Sequence, residues 1–139
     1  MGSDPDQLVD TSVAVPLVVT DHEHHEQVWD ELGRSVLGLA GHAQFETYSV
    51  LTRLPPPTRR SPTECQRLLE RNFPASRYLS SSQQADALAQ FAQLGIAGGA
   101  IYDALIGRVA FEYGIGLATR DRSALDTYRL LGVAVQFIG

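Results

Sequence analysis

Ala100-Ile101-Tyr102-Asp103-Ala104-Leu105-Ile106-Gly107-Arg108-Val109-Ala110-Phe111, closed at Gly114 and followed by Ile115-Gly116-Leu117-Ala118-Thr119, decides the class of fold. The first stretch is apolar nearly all round, which predicts a central helix packed on several sides. The second is a short apolar run and predicts a strand. Beyond it the pattern predicts a helix over 123–131 ending at Gly132, then a last strand over 133–138. Helix, strand, helix, strand in this order implies an α/β domain, with a central parallel sheet flanked by helices on both faces.

Towards the N-terminus the same alternation holds. Leu8-Val9 opens a first strand, 13–19 and 22–32 read as helical, and 36–40 reads as a strand. A helix over 43–54 is stopped by Pro55-Pro56-Pro57. In Ser61-Pro62-Thr63-Glu64 the serine can cap a helix, proline fits its first position and the glutamate completes a capping box, predicting a helix to Asn72. A strand over 76–79 and a helix over 83–94 follow. Residues 6–139 read as one domain without internal repeats. Residues 1–5 are left outside it, with Gly2-Ser3 read as an expression remnant.

The 139 residues carry a net charge of −5 and 44% hydrophobic content, as expected of a globular domain rather than a disordered or collagen-like chain. All 11 positive side chains are arginines. Without lysine there is no P-loop, no kinase ATP-site lysine and no Schiff-base amine. A single cysteine, Cys65, excludes an intrachain disulfide and any CxxC motif, and a reducing, cytoplasmic setting is the expectation. The longest candidate for a membrane span, 13–19, is far too short and holds Pro16. Residues 1–50 carry nine acids against Arg34 alone, whereas 51–139 carry ten arginines against seven acids. This asymmetry allows an acidic site beside an anion-binding surface.

In open parallel sheets ligands bind beyond the carboxyl ends of strands, near the point where strand order reverses. Asp10 ends the first strand and Asp121 follows the strand at 115–119, although either could simply cap a helix or serve a turn. Asp103 lies in the most apolar helix of the chain. A lone buried carboxylate is costly there unless it is paired, protonated or metal-bound, and its place near the helix N-terminus lowers that cost. Glu46, in Gln44-Phe45-Glu46-Thr47-Tyr48, reads by itself as a surface residue. Several carboxylates meeting at one sheet end would repel one another unless a divalent cation were present, and hard oxygen ligands suit Mg²⁺ or Mn²⁺.

Leu8-Val9-Asp10-Thr11-Ser12, Phe45-Glu46 followed by Leu51-Thr52-Arg53-Leu54, Tyr102-Asp103-Ala104-Leu105, and Leu117-Ala118-Thr119-Arg120-Asp121 come in an order and spacing that resembles PIN-domain ribonucleases. The resemblance is strongest to the VapC toxins of bacterial toxin-antitoxin pairs, and it runs from Gln7 to Gly139. It implies a pocket of Asp10, Glu46, Asp103 and Asp121 holding one or two Mg²⁺ or Mn²⁺ ions, with Asp10, Asp103 and Asp121 as metal ligands and Ser12 and Thr119 as supporting hydroxyls. It further implies endonucleolytic RNA cleavage by metal-activated water, a homodimer, and a VapB-type antitoxin partner whose arginine enters among the carboxylates, a group that clustered carboxylates hold well.

Because the chain is acidic overall, RNA phosphates would need local arginines, for which Arg53, Arg59, Arg60, Arg120 and Arg122 are candidates. Asp126 is a possible fifth ligand, but Ser123-Ala124-Leu125-Asp126 has capping-box spacing and we read it as a cap. His22-Glu23-His24-His25-Glu26 is not HExxH and reads as the solvated start of a helix. His42, one turn before Glu46, could orient it. Trp29, beside Val28 and Leu32, reads as core, with an antitoxin-binding groove as the alternative, and Cys65 as an inert packed thiol. Competing readings are a PIN nuclease of RNA processing outside a toxin system and a protein-binding module that has lost turnover. A phospho-acceptor signalling domain shares the layout but uses the lysine this chain lacks.

Overall fold

The computed structural model describes residues 4–139; Met1 and the remnant expected at Gly2-Ser3 lie outside the described residues. In chain order the elements are β1 (Gln7–Val9), α1 (Thr11–Val18), α2 (His25–Leu32), β2 (Leu37–Leu39), α3 (Ala43–Thr52), α4 (Pro62–Asn72), α5 (Ser81–Gln93), α6 (Ala100–Tyr113), β3 (Leu117–Thr119), α7 (Leu125–Leu130) and β4 (Val135–Phe137), with a 3-10 turn at Arg122–Ala124. The four strands form one parallel sheet in the order β2-β1-β3-β4. Successive strand residues point to opposite faces, yet Leu8 and Val9, and likewise Leu117 and Ala118, are wholly buried. Helices therefore cover both faces, as the sequence alternation implied.

From β1 the chain moves outward to β2 on one side, and it later returns to place β3 and β4 on the other. Strand order thus reverses between β1 and β3, whose carboxyl ends carry Asp10 and the segment leading to Asp121. α6 packs on α7 at Gly107, where an added Cβ would stand 3.0 Å from the Tyr128 ring. Glycine is what lets the two helices approach closely enough to bury Tyr128 completely.

The structure moves several sequence boundaries. The strand expected at 76–79 is a single bridge between Ala40 and Arg77, because the Ser76 hydroxyl rather than a backbone carbonyl takes the Leu39 N–H (2.9 Å) and interrupts the ladder. The helix expected from His22 starts at His25, since the Nδ1 of His22 accepts the His24 N–H (3.1 Å) and closes a turn in its place. The Ser123–Asp126 capping box does not form: Asp121 takes both the Ser123 N–H (2.9 Å) and its hydroxyl (2.6 Å), and Asp126 is exposed. Trp29 is 45% exposed rather than core, because Val28 and Leu32 take the inward face of α2 while its ring stacks on His25 and covers Gly33. The box at Ser61 and Glu64 forms as expected, and Cys65 is buried and free.

β2 approaches the 73–77 segment so closely that a Cβ at Gly38 would lie 2.1 Å from the Ala75 carbonyl oxygen. Gly38→Ala is expected to lower unfolding free energy by ~1–3 kcal/mol through overpacking against backbone. Gly99→Ala, at φ −63° with nothing within 4 Å, is expected to leave it nearly unchanged. Urea unfolding of both variants checks this; equal stabilities would refute the close approach.

Candidate active site at the sheet switch point

The site begins with a local accident of sequence: an aspartate directly after the first strand caps the helix that follows. Asp10 Oδ1 accepts the Ser12 N–H (3.1 Å) and the Ser12 hydroxyl (2.5 Å). Its Oδ2 accepts the hydroxyls of Thr119 (2.6 Å), from the end of β3, and Tyr128 (2.8 Å), from α7. The capping role left open from sequence is thus real, but it is one of several. Asp10 is only 4% exposed, and burial pushes its carboxyl above the usual range although all these donors pull the other way. Burial and the Asp10 carboxylate in turn drive the Tyr128 phenol well above its ordinary range, so it stays a proton donor.

The two supporting hydroxyls expected from sequence are doubly used. Ser12 donates to Asp10 and accepts the Arg120 N–H (2.8 Å), while Thr119 donates to Asp10 and accepts the Asp121 N–H (3.0 Å). Asp121 is held in turn by Ser123. On α3, Glu46 is far from a free surface residue: it accepts the Thr11 hydroxyl (3.3 Å), and His42 Nε2 lies 3.4 Å from its other oxygen. His42 occupies the orienting position the sequence suggested.

Asp103 differs from the other three. It sits half-buried in the first turn of α6, and among the described residues no donor lies within hydrogen-bonding reach of its carboxylate. Burial, followed by the charges of Asp121, Asp10 and Glu46, pushes its carboxyl up to about 6. The fold therefore gathers into one electrostatic neighbourhood all four acids named from sequence. Among the described residues, no three His, Cys, Asp or Glu side chains stand close enough to form a ready-made ion cage. Three of the four are turned towards protein donors instead, an arrangement that like charges favour over convergence.

Two members of the site were missed from sequence. Thr11 was quoted in its motif without a role, yet its hydroxyl ties α1 to α3 through Glu46. Tyr128 carried no signal at all, since only the fold brings a residue of the last helix to the end of the first strand. The arginines are dispersed. Arg59 Nε and Arg60 Nη1 bond carbonyls of their own loop, at Leu54 (2.7 Å) and Thr58 (2.8 Å), and Arg122 lies 4.6 Å above the Phe137 ring. Arg120, between Thr119 and Asp121, has a buried Nε with no hydrogen-bond partner. The His22–His25 run is structural: His25 Nδ1 pairs with the Pro16 carbonyl (2.8 Å), and burial beside His24 pulls His22 below the ordinary imidazole range.

Comparison with known proteins identifies the family. The PIN domain family profile matches residues 8–130. Ribonuclease VapC27 of Mycobacterium tuberculosis is 47% identical over 131 residues, covering 94% of this chain and 96% of that protein. Among solved structures, M. tuberculosis VapC20, described as a sarcin-ricin loop cleaving toxin, superimposes with a TM-score of 0.65 at 16% identity over 86% of this chain and 92% of its own. The VapBC2 complex of Rickettsia felis, bound to a fragment of its promoter DNA, gives 0.61 at 13% identity over 96% and 98%. Four acids placed in order at the switch point of a parallel sheet, together with these matches, show that the chain belongs to the PIN-domain family, among its VapC-type members.

Proposed function

We propose that this protein is a metal-dependent endoribonuclease, the toxin of a type II toxin-antitoxin pair, with residues 6–139 as its single working domain. The observation that carries the reading is the state of Asp103, a carboxylate without a donor that is crowded by three others at a sheet switch point. Such a site is unfavourable empty and becomes favourable around a cation. Its donors are all oxygens, which suits Mg²⁺ or Mn²⁺.

Asp103, Asp121 and Asp10 would hold the ion, with Glu46 as the fourth acid. A divalent ion, when bound, supplies Lewis-acid charge stabilisation at phosphorus and activation of water. Asp10, already supplied with four donors, would meet the ion in exchange for a hydroxyl. The hydroxyls of Ser12, Thr119 and Tyr128 fix where its carboxylate points, and Thr11 and His42 do the same for Glu46. Arg120, Arg122 and the loop arginines Arg59 and Arg60 are candidates for RNA phosphates. The acidic pocket also suits an antitoxin's guanidinium, which would occupy the same carboxylates bidentately. Among the described residues no helix is long and apolar enough to cross a membrane. The absence of paired cysteines fits work in the cytoplasm.

Asp103→Asn is expected to lower Mg²⁺- or Mn²⁺-dependent RNA cleavage by at least the ~10–100-fold that loss of an outer partner costs a metal site. Mapping of new 5′ ends in total bacterial RNA, with EDTA as a second control, measures this. An active, metal-responsive variant would sink the assignment.

Folding linkage gives an independent check. Asp103 titrates near 3.8 in the unfolded chain and at about 6 in the folded one, so the metal-free protein loses stability as pH rises through that window. Water screening at this half-exposed site keeps the loss below the full linkage value. In EDTA, Tm of Asp103→Asn should gain on wild type between about pH 4 and pH 6 and hold its lead above that. A gap that does not change with pH would refute the crowding.

A further inference from the structure

Next to the acids stands a set of aromatic rings that the fold does not need. The rings of His42, at the start of α3, and Tyr102, at the start of α6, are stacked with centroids 5.3 Å apart and planes 25° from parallel. They join the two helices that carry Glu46 and Asp103, each within one turn of its acid. Tyr102 is 54% exposed, and Phe45, three residues after His42 on the same helix face, is 67% exposed. Neither contributes to the buried core.

Two clefts meet at this ledge. One, of about 420 Å³, runs along α3 from His42 and Phe45 past Glu46, with Thr11 beside it, to Arg53. The other, of about 230 Å³, opens between His42, Phe45, Tyr78 and Leu105. Arg53 closes α3, is exposed, and its side chain makes no hydrogen bond or ion pair among the described residues. One surface along α3 thus offers flat rings at one end, Glu46 next to them and a free guanidinium at the other end.

We propose that the His42–Tyr102 stack and Phe45 form a base-stacking ledge that holds an unpaired nucleobase next to the scissile phosphate of the RNA, with Arg53 taking a phosphate further along the strand. This rests on the ribonuclease reading above and adds to it the side chains that hold a base of the substrate. An unpaired strand carries apolar faces and negative charge, and the rings and Arg53, on either side of Glu46, offer a partner to each. Bases splayed out of a loop find aromatic faces in this manner, and the contact tolerates any base because every base has a π-face. The exposed face of Tyr102 extends a pair that His42 has already begun and that Glu46 holds in place (3.4 Å), so little ordering remains to be done on binding.

The test measures fluorescence anisotropy of a labelled single-stranded oligoribonucleotide of mixed sequence, and of the same strand with abasic sites replacing its internal bases. Asp103→Asn serves as the uncutting parent, in Mg²⁺. Tyr102→Ala and Phe45→Ala should each weaken binding of the intact strand about 5- to 150-fold, the range covered by stacking one base on an aromatic ring. Tyr102→Phe should stay within about twofold of the parent. Against the abasic strand the alanine variants and the parent should bind alike, a result that a merely structural role for the rings would not produce. Equal binding of the intact strand by parent and Tyr102→Ala overturns the ledge while leaving the nuclease intact. A Tyr102→Ala protein that keeps RNA but loses the product of the neighbouring antitoxin gene also overturns it, and makes the rings a protein-docking surface. If the parent binds neither strand the ledge falls, and if the wild type also cuts no RNA the ribonuclease reading falls with it.

Discussion

The Asp10 carboxylate, buried at the end of the first strand, is the constraint on which the rest of the site depends. A charge in that position is tolerated only if its oxygens are filled with hydrogen bonds. Four donors fill them, and they come from the start of α1, the end of β3 and the middle of α7. Satisfying one carboxylate therefore pins the start of α1 and two elements remote in sequence, β3 and α7, to one point. The same hydroxyls then hold the backbone that carries Arg120 and Asp121. Truncating Tyr128 or Thr119 would leave part of a buried charge unpaired, which ties the geometry of the site to the integrity of the sheet end.

Asp103 stands in contrast to this. Asp10 is buried and satisfied, Asp121 and Glu46 are bridged to neighbours, and Asp103 is left with partial burial and the repulsion of the other three. A fold that meets nearly all its other polar needs and leaves one acid unmet, beside three more, stores an affinity for positive charge. A divalent ion and an incoming guanidinium would draw on the same affinity. An acidic protein that must handle a polyanion is then less of a contradiction, since a cation held at the four acids would cancel negative charge at the site itself.

The fold class could be read from the sequence because it rests on local rules, whereas the four acids were joined into one pocket only by the resemblance of their motifs to a family, Glu46 by itself reading as a surface residue. An all-round apolar helix must be central, and Ser61 with Glu64 caps a helix by local geometry, whereas a short apolar run is ambiguous by itself: Leu37–Leu39 is a strand, but Thr11–Val18 is a helix. The second capping box failed for an equally local reason, since Asp121 is closer to Ser123 than Asp126 is and takes both of its groups. Trp29 was misplaced because hydrophobicity says that a ring will be covered without saying by what. Here the cover is His25 and Gly33, at the surface.

What the sequence determined by itself was the list of chemical groups and the order in which strands present them: oxygens only, no lysine, one cysteine, and an aspartate after each of two strands. What only the tertiary structure decided was proximity. That Tyr128 reaches Asp10 across 118 positions, that Thr11 holds Glu46, and that His42 stacks on Tyr102 follow from strand order and helix packing. Such contacts join residues whose separation along the chain carries no information about their separation in space. Periodicity fixes the environment of a residue along its own element, whereas its partners on other elements are fixed only once the sheet is assembled.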